Sequence, residues 1–418
     1  MSALSFCAIG SKCIKNKSNN AVITKNGTIN FRMKKALTII ALFASCIMAE
    51  AQNIYVWKGG NYTKQAIAQG LEVDMTVDSI TFNAPIEAPT VNIAYSNGKA
   101  EVTVAPSVTG VTYTVDGANV SITSSTTKDE ITYNVSGSSA NGSLTITGQY
   151  KFTLALNGVS LASQSGAAID IQCGKRIAFV LKEGTENTLS DAANGAQKAC
   201  LYSKGHLEIE GAGTLNVTGK KSHAIGSKEY VQLKKTTGTI NIVSSANDGI
   251  HAGQYFQMSG GTVNIDSNTA GDGIQAEVTS DETDENNGQV IIKGGTLNIT
   301  VANQDAKAIK ADSDIAISGG TFALNANGNG SRGIQTNGNM TIGEEDNKTA
   351  ILINATGTKC TLAECKEDPH NCMGIKVDGN LTINGGSITV RNTGKKSKSI
   401  KVGGTYTKNG GTVDATIE

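Results

Sequence analysis

One short phrase, a small residue followed by isoleucine and alternating polar residues, recurs along this chain and restricts its fold more than any other feature. It reads GAAIDI, KACLYS, SHAIGS, DGIHA, DGIQA, KAIKA, RGIQT, MGIKV and KSIKV. Its apolar position falls at Ile169, Cys200, Ile225, Ile250, Ile274, Ile309, Ile334, Ile375 and Ile400, in steps of 31, 25, 25, 24, 35, 25, 41 and 25 residues. A period of about 25 residues interrupted by three insertions implies a repeat architecture whose insertions are surface loops.

Two further strands fit in each period. The phrases GGTVNI, GGTLNI, GGTFAL, GGSITV and GGTVDA, with the looser GAGTLNV and TGTINI, place a second apolar column at Leu215, Ile240, Val263, Leu297, Phe322, Ile388 and Val413. A third strand precedes each Gly-Gly, as in HLEIEG, YFQMSGG and NLTINGG. Strands this short cannot form a sheet within one repeat, so each must pair with its equivalent one coil along. The fold class expected is all-β: a right-handed parallel β-helix, a solenoid of about 25 residues per coil with a strand spacing of about 4.8 Å. Gly-Gly suits a corner that needs positive φ, and Cys200 reads as a small hydrophobe in the isoleucine column. Among 48 Gly and only 4 Pro, no Pro interrupts residues 107–368, as a continuous ladder of paired strands requires.

The N-terminal part reads differently. Met33-Lys34-Lys35, the apolar run Ala36 to Ala49 and Ala49-Glu50-Ala51 have the form of a secretory signal cleaved before Gln52, too short for a membrane span. The boundaries expected are 1–32 an upstream extension from a mis-called start, 33–51 a signal peptide, 52–90 a strand-rich leader and linker, and 91–418 the β-helix. Residues 91–135 are its early coils or a cap, needed because a bare β-helix end exposes strand edges. A lipoprotein signal ending at Cys46 is the competing reading; either places the protein outside the cell or on its outer surface. The formal net charge of the whole chain is zero, and removing the leader leaves it acidic. No basic excess remains to match a nucleic-acid backbone. Five Cys lie beyond the leader: Cys173, Cys200, Cys360, Cys365 and Cys372. An odd number excludes a fully paired framework, and one disulfide within the 358–373 insert is expected.

Three sets of side chains carry chemistry. Two residues before the isoleucine stand His223, Asp248, Asp272, Lys307, Arg332, Met373 and Lys398 in successive coils. Asp248 and Asp272 are thus neighbours across one strand spacing, an unfavourable pair that a hard cation would relieve. Glu277, Asp305 and Asp312 lie near enough in register to complete a Ca²⁺ shell; solvated surface acids are the alternative. One residue after the isoleucine, His251, Gln275, Lys310, Gln335, Lys376 and Lys401 form an outward column spaced to follow an extended polysaccharide, or else a sheet face blunted with Lys. Tyr230 and Tyr255 fall on adjacent coils and offer either platforms for pyranose rings or packing of a turn. The four His of the chain fall on different faces or turns, and no nucleophile motif is present. A lyase needs only a metal and a base, roles open to Asp272 with Lys310 or Arg332.

The stretch Gly158 to Asp191, with the repeated DGIHA, GDGIQAE, KAIKAD and LTINGG phrases, resembles a bacterial family of secreted carbohydrate-binding β-helix proteins. The resemblance covers roughly residues 91–418, and NIYVWKGG with VDSITF is similar to the N-termini of proteins secreted by gut Bacteroidetes. It implies a calcium-containing, pectate-lyase-like helix that binds cellulose or polygalacturonate without demonstrated cleavage, with calcium at Asp248, Asp272 and Glu277. Later coils carry Lys307, Arg332 and Lys398 where an Asp would sit, so ligands are expected only near the middle coils. The function expected is a secreted, non-catalytic, calcium-assisted binder of a cellulose-like or pectin-like polysaccharide, with no nucleic-acid partner and no integral membrane segment. A calcium-dependent pectate-type lyase and a surface adhesin without a glycan ligand are the alternatives.

Overall fold

The computed structural model describes residues 21–23, 28–31, 53–58, 61–66, 79–81 and 88–418, except 282, 345–348 and 364–369. The chain divides into two units, residues 1–87 and 88–418. In the first, Ala21–Ile23, Thr28–Phe31, Asn53–Lys58, Asn61–Ala66 and Ser79–Thr81 form one antiparallel five-stranded sheet. The expected signal segment 33–51 and Cys46 lie outside the described residues.

The second unit is a parallel β-solenoid, with no helix among the described residues. Each coil contributes three strands, for example Ala199–Ser203, Leu207–Glu210 and Thr214–Gly219, and each pairs in parallel with its equivalent in the next coil, His223–Ser227, Val231–Leu233 and Thr239–Ser245. The isoleucine strands stack into one sheet of twelve, all paired in parallel except the outermost, Val111–Asp116. Its inward column runs Ile225, Ile250, Ile274, Ile309, Ile334, Ile375 and Ile400, every one fully buried. Each such side chain removed from water is worth about 1.5–3 kcal/mol, so the axial stack is the main source of stability.

Two register positions differ from expectation. Ile169 pairs with Leu201, so Leu201 and not Cys200 occupies the isoleucine column. Cys200 belongs one residue earlier, with Ala224, Gly249, Gly273, Ala308, Gly333 and Gly374. That position is small because space is absent: a Cβ on Gly273 would lie 2.5 Å from the Ala308 carbonyl oxygen and 2.6 Å from Ile299. The second apolar column contains an additional member, Ile351 on Ala350–Ala355, between Phe322 and Ile388. It has no Gly-Gly before it, which hid the coil in the sequence. At the Gly-Gly corners the two glycines do different work. Gly261 takes positive φ (+85°), whereas a Cβ on Gly260 would sit 2.6 Å from the Lys235 carbonyl oxygen of the coil below.

The N-terminal edge of the solenoid is closed by two hairpins. Thr90–Ser96 pairs in parallel with the first coil and antiparallel with Lys99–Val104; Ala118–Ser124 does the same with Val111–Asp116 outside it. Reversal of direction ends the parallel ladder. In the 358–373 insert, Cys360 is disulfide-bonded to a partner outside the described residues, while Cys173, Cys200 and Cys372 are free and buried.

Candidate functional site

The outward column of the isoleucine sheet is brought into register as expected. His251, Gln275, Lys310, Gln335, Lys376 and Lys401 pair successively, each flanked along its own strand by residues that point into the core. Gln275 is largely covered and Lys401 is exposed. Lys376 reaches Asp378 at 2.9 Å and Lys310 reaches Asp312 at 3.7 Å, so part of the positive charge is neutralised at the sheet margin.

Tyr230 and Tyr255 meet as a stack, with ring centroids 4.6 Å apart, and His206 stacks on Tyr230 from the other side at 4.4 Å. Both faces of Tyr230 are therefore covered, which removes it as a pyranose platform; its hydroxyl donates to Glu208 at 2.9 Å. Burial alone would raise the Glu208 carboxyl, but Lys234, the Tyr230 hydroxyl and Arg176 outweigh it and hold the group below its ordinary value.

The row two residues before the isoleucine lies in a corner of the coil, with His223, Asp248, Asp272, Arg332 and Met373 buried and Lys307 and Lys398 half-buried. Asp248 Oδ1 accepts from the Asp272 backbone N–H at 2.8 Å, and Asp272 Oδ1 accepts from the Lys307 N–H at 2.7 Å, so each carboxylate ties one coil to the next. Asp248 Oδ2 stands 3.1 Å from the Nδ1 atoms of both His223 and His251. Burial opposes ionisation of Asp248, but the two imidazoles hold its carboxyl far below the usual range. His251 is pushed the other way. Burial would lower it, yet Asp248 and Glu277 raise it to about 9. Burial raises Asp272 to about 6, against the Lys307 charge and reinforced by Asp248.

The remaining expected calcium ligands have protein partners. Glu277 accepts from Gln275 Nε2 at 2.9 Å and lies 3.5 Å from His251 Nε2, whose hydrogen bond lowers its pKa. Asp305 holds His370 at 2.8 Å, Arg332 at 3.1 Å and Lys307 at 3.2 Å; Asp312 faces Lys310. Among the described residues, the one group of three or more His, Cys, Asp or Glu close enough to share an ion is His223, Asp248 and His251. Ca²⁺ takes 6–8 oxygen ligands, and two imidazoles with one carboxylate do not supply such a shell. Contrary to the sequence reading, His223 and His251 are not on separate faces: their rings stack 4.2 Å apart.

A further row escaped the sequence reading although its signal was in the GGTxNI phrase. Asn241, Asn264 and Asn298 each donate Nδ2 to the Oδ1 of the amide one coil earlier at 2.7–2.8 Å, and Asn216 begins the ladder by donating to Glu186 at 2.8 Å. With Val243, Asp266 and Thr300 the ladder lines an open groove of about 450 Å³ that runs across the coils. Asn216, Asn241 and Asn264 each spend one N–H and one lone pair on their neighbours, while Asn298, opposite Ala323 in the next coil, spends one N–H.

A family model described as "Carbohydrate-binding domain-containing protein" matches residues 116–417. A curated relative of the same description from Acetivibrio thermocellus is 28% identical over 102 residues, 22% of this chain and 35% of the relative. The chain thus matches about a third of that relative's length. The solved structure of the polysaccharide lyase-like protein from C. thermocellum, a gadolinium derivative, superposes with a TM-score of 0.50 at 23% identity, covering 62% of this chain and 99% of that one. This last likeness is one of fold.

Proposed function

The chain belongs to the family of carbohydrate-binding domain-containing proteins, and from that premise we propose that it binds an extended polysaccharide along the solenoid without cleaving it. The observation that carries this reading is the outward column from His251 to Lys401, whose donors hold one register through six successive coils. A column repeating at strand separation matches a polymer of repeating sugars better than a small ligand. Its Lys residues favour acidic glycans of the pectin type. The amide groove supports a second reading, a neutral β-linked glucan lying across Asn241, Asn264 and Asn298. Neither column contains a nucleophile. Arg332, cast as a lyase base, is 5% exposed and paired with Asp305, which argues for binding over elimination.

Affinity electrophoresis against polygalacturonate and β-glucans tests both readings. Retardation by polygalacturonate that is lost in Lys310→Ala/Lys376→Ala supports the first; retardation by glucan lost in Asn241→Ala/Asn264→Ala supports the second. No retardation by any of these polymers removes the proposal. Release of unsaturated product, followed by absorbance, would make the protein a lyase instead. Secretion is part of the same reading, and an N-terminus at Gln52 in the mature protein is its test. The calcium expectation is tested by adding EDTA to the electrophoresis, where unchanged retardation counts against it.

A further inference from the structure

We propose that His223, Asp248 and His251 form a binding site for a first-row divalent transition ion of the zinc class. The three side chains come from two successive coils: His223 begins the strand His223–Ser227, and one coil on Asp248 lies in the turn that enters Ile250–Ala252, the strand carrying His251. One donor atom from each lies within 4.8 Å of the others. Asp248 Oδ2 is 3.1 Å from each Nδ1, near the separation of about 3.3 Å that a tetrahedral ion with bonds of 2.0–2.1 Å imposes on its ligands.

Two independent observations point to a ligand. His223 is 6% exposed, and its Nδ1 stands 3.1 Å from Asp248 Oδ2 without meeting the alignment of a hydrogen bond. A buried ring nitrogen held only by a poorly aligned contact is costly, and an ion between the three groups would satisfy it. Around the cluster, the partners that orient metal ligands are already in place. Glu277 Oε2 lies 3.5 Å from His251 Nε2, on the ring nitrogen turned away from Asp248, and the Asp272 N–H fixes the other Asp248 oxygen.

Nitrogen donors with one carboxylate select zinc-class ions over Ca²⁺ or Mg²⁺. The two rings lie 23° from parallel and must splay toward the ion on binding. The His251 side chain is 19% exposed, against 8% and 3% for His223 and Asp248, so the open coordination position faces the sheet surface beside Gln275. The ion would staple two coils together at the end of the glycan-facing column. The site stands independently of whether that column binds sugar.

Isothermal titration of the chelator-treated full chain with Zn²⁺, Co²⁺ and Ca²⁺ is the test. The expected result is one equivalent of Zn²⁺ or Co²⁺ bound at or below about 1 μM, visible Co²⁺ absorption of a low-coordinate site, and no displacement by equimolar Ca²⁺. Glu277→Gln should weaken binding by about 10–100-fold, and His223→Gln and His251→Gln by more. If the buried His223 variant fails to fold, the more exposed His251 and Glu277 variants decide alone. Folded protein that takes up neither ion at that concentration, uptake unchanged by the His variants that fold, or displacement of Zn²⁺ by equimolar Ca²⁺ overturns the proposal.

Discussion

The asparagine ladder and the buried corner row are both columns of polar side chains repeated coil by coil, yet they are satisfied in opposite ways. An amide is both donor and acceptor, so repetition alone pairs Asn216, Asn241, Asn264 and Asn298 along the axis. A charge gains nothing from an identical neighbour. The corner row therefore changes identity from His223 to Asp248, Asp272, Lys307 and Arg332, and its members recruit partners outside the row: His251 for Asp248, and Asp305 with His370 for the Arg332 end. Where a solenoid departs from its own repeat, specific chemistry collects.

The largest expected effect comes from breaking the corner row. Asp248→Ala leaves two imidazoles and the Asp272 N–H without their shared acceptor, and should cost about 3–5 kcal/mol in urea unfolding. A loss below about 1 kcal/mol would mean the corner is hydrated and the contrast between the rows is false. Asn264→Ala interrupts the amide ladder at a half-exposed position and should cost only about 1 kcal/mol, measured the same way. Arg332→Met places an apolar side chain where Met373 stands one coil on, while Asp305 keeps Lys307 and His370. Removing one member of a buried pair is costly when it strands the other charge, but Asp305 is 28% exposed and keeps two partners, so a change within about 1 kcal/mol is expected; a larger loss would show that the row needs its charge.

The smallest effect concerns pH. Glu208 has its pKa lowered in the folded state, so it contributes stability that is present above its unfolded value and lost as pH falls through the folded one. In Glu208→Gln that part of the acid-side loss should vanish from thermal melts taken across the acid range. An unchanged acid slope would place its partners in solvent.

Much of the fold was legible because a solenoid couples sequence period to space directly. The steps of 25 residues align Ile225 with Ile250, and the outward neighbours His251 to Lys401 follow from the same register. The sequence is ambiguous where that coupling is local. Cys200 and Leu201 are both apolar, and only the inter-coil pairing shows which one faces the core and which fills the tight corner. Ile351 is hidden in the sequence because its strand lacks the glycine corner, and the amides of the groove because one Asn per phrase reads as a turn residue until its neighbours are stacked above it.

The candidate ion site shows the limit most clearly. His223 and His251 occupy different positions of the repeat, and nothing in the spacing brings their rings together. They meet at the corner of the coil, where His223 of one coil stacks on His251 of the next and both face Asp248. Sequence alone determined the architecture, the axial columns and the outward face, since each depends only on period and polarity. Tertiary structure decided which polar groups share a partner, because that depends on the direction side chains take at a corner, which no repeat length specifies.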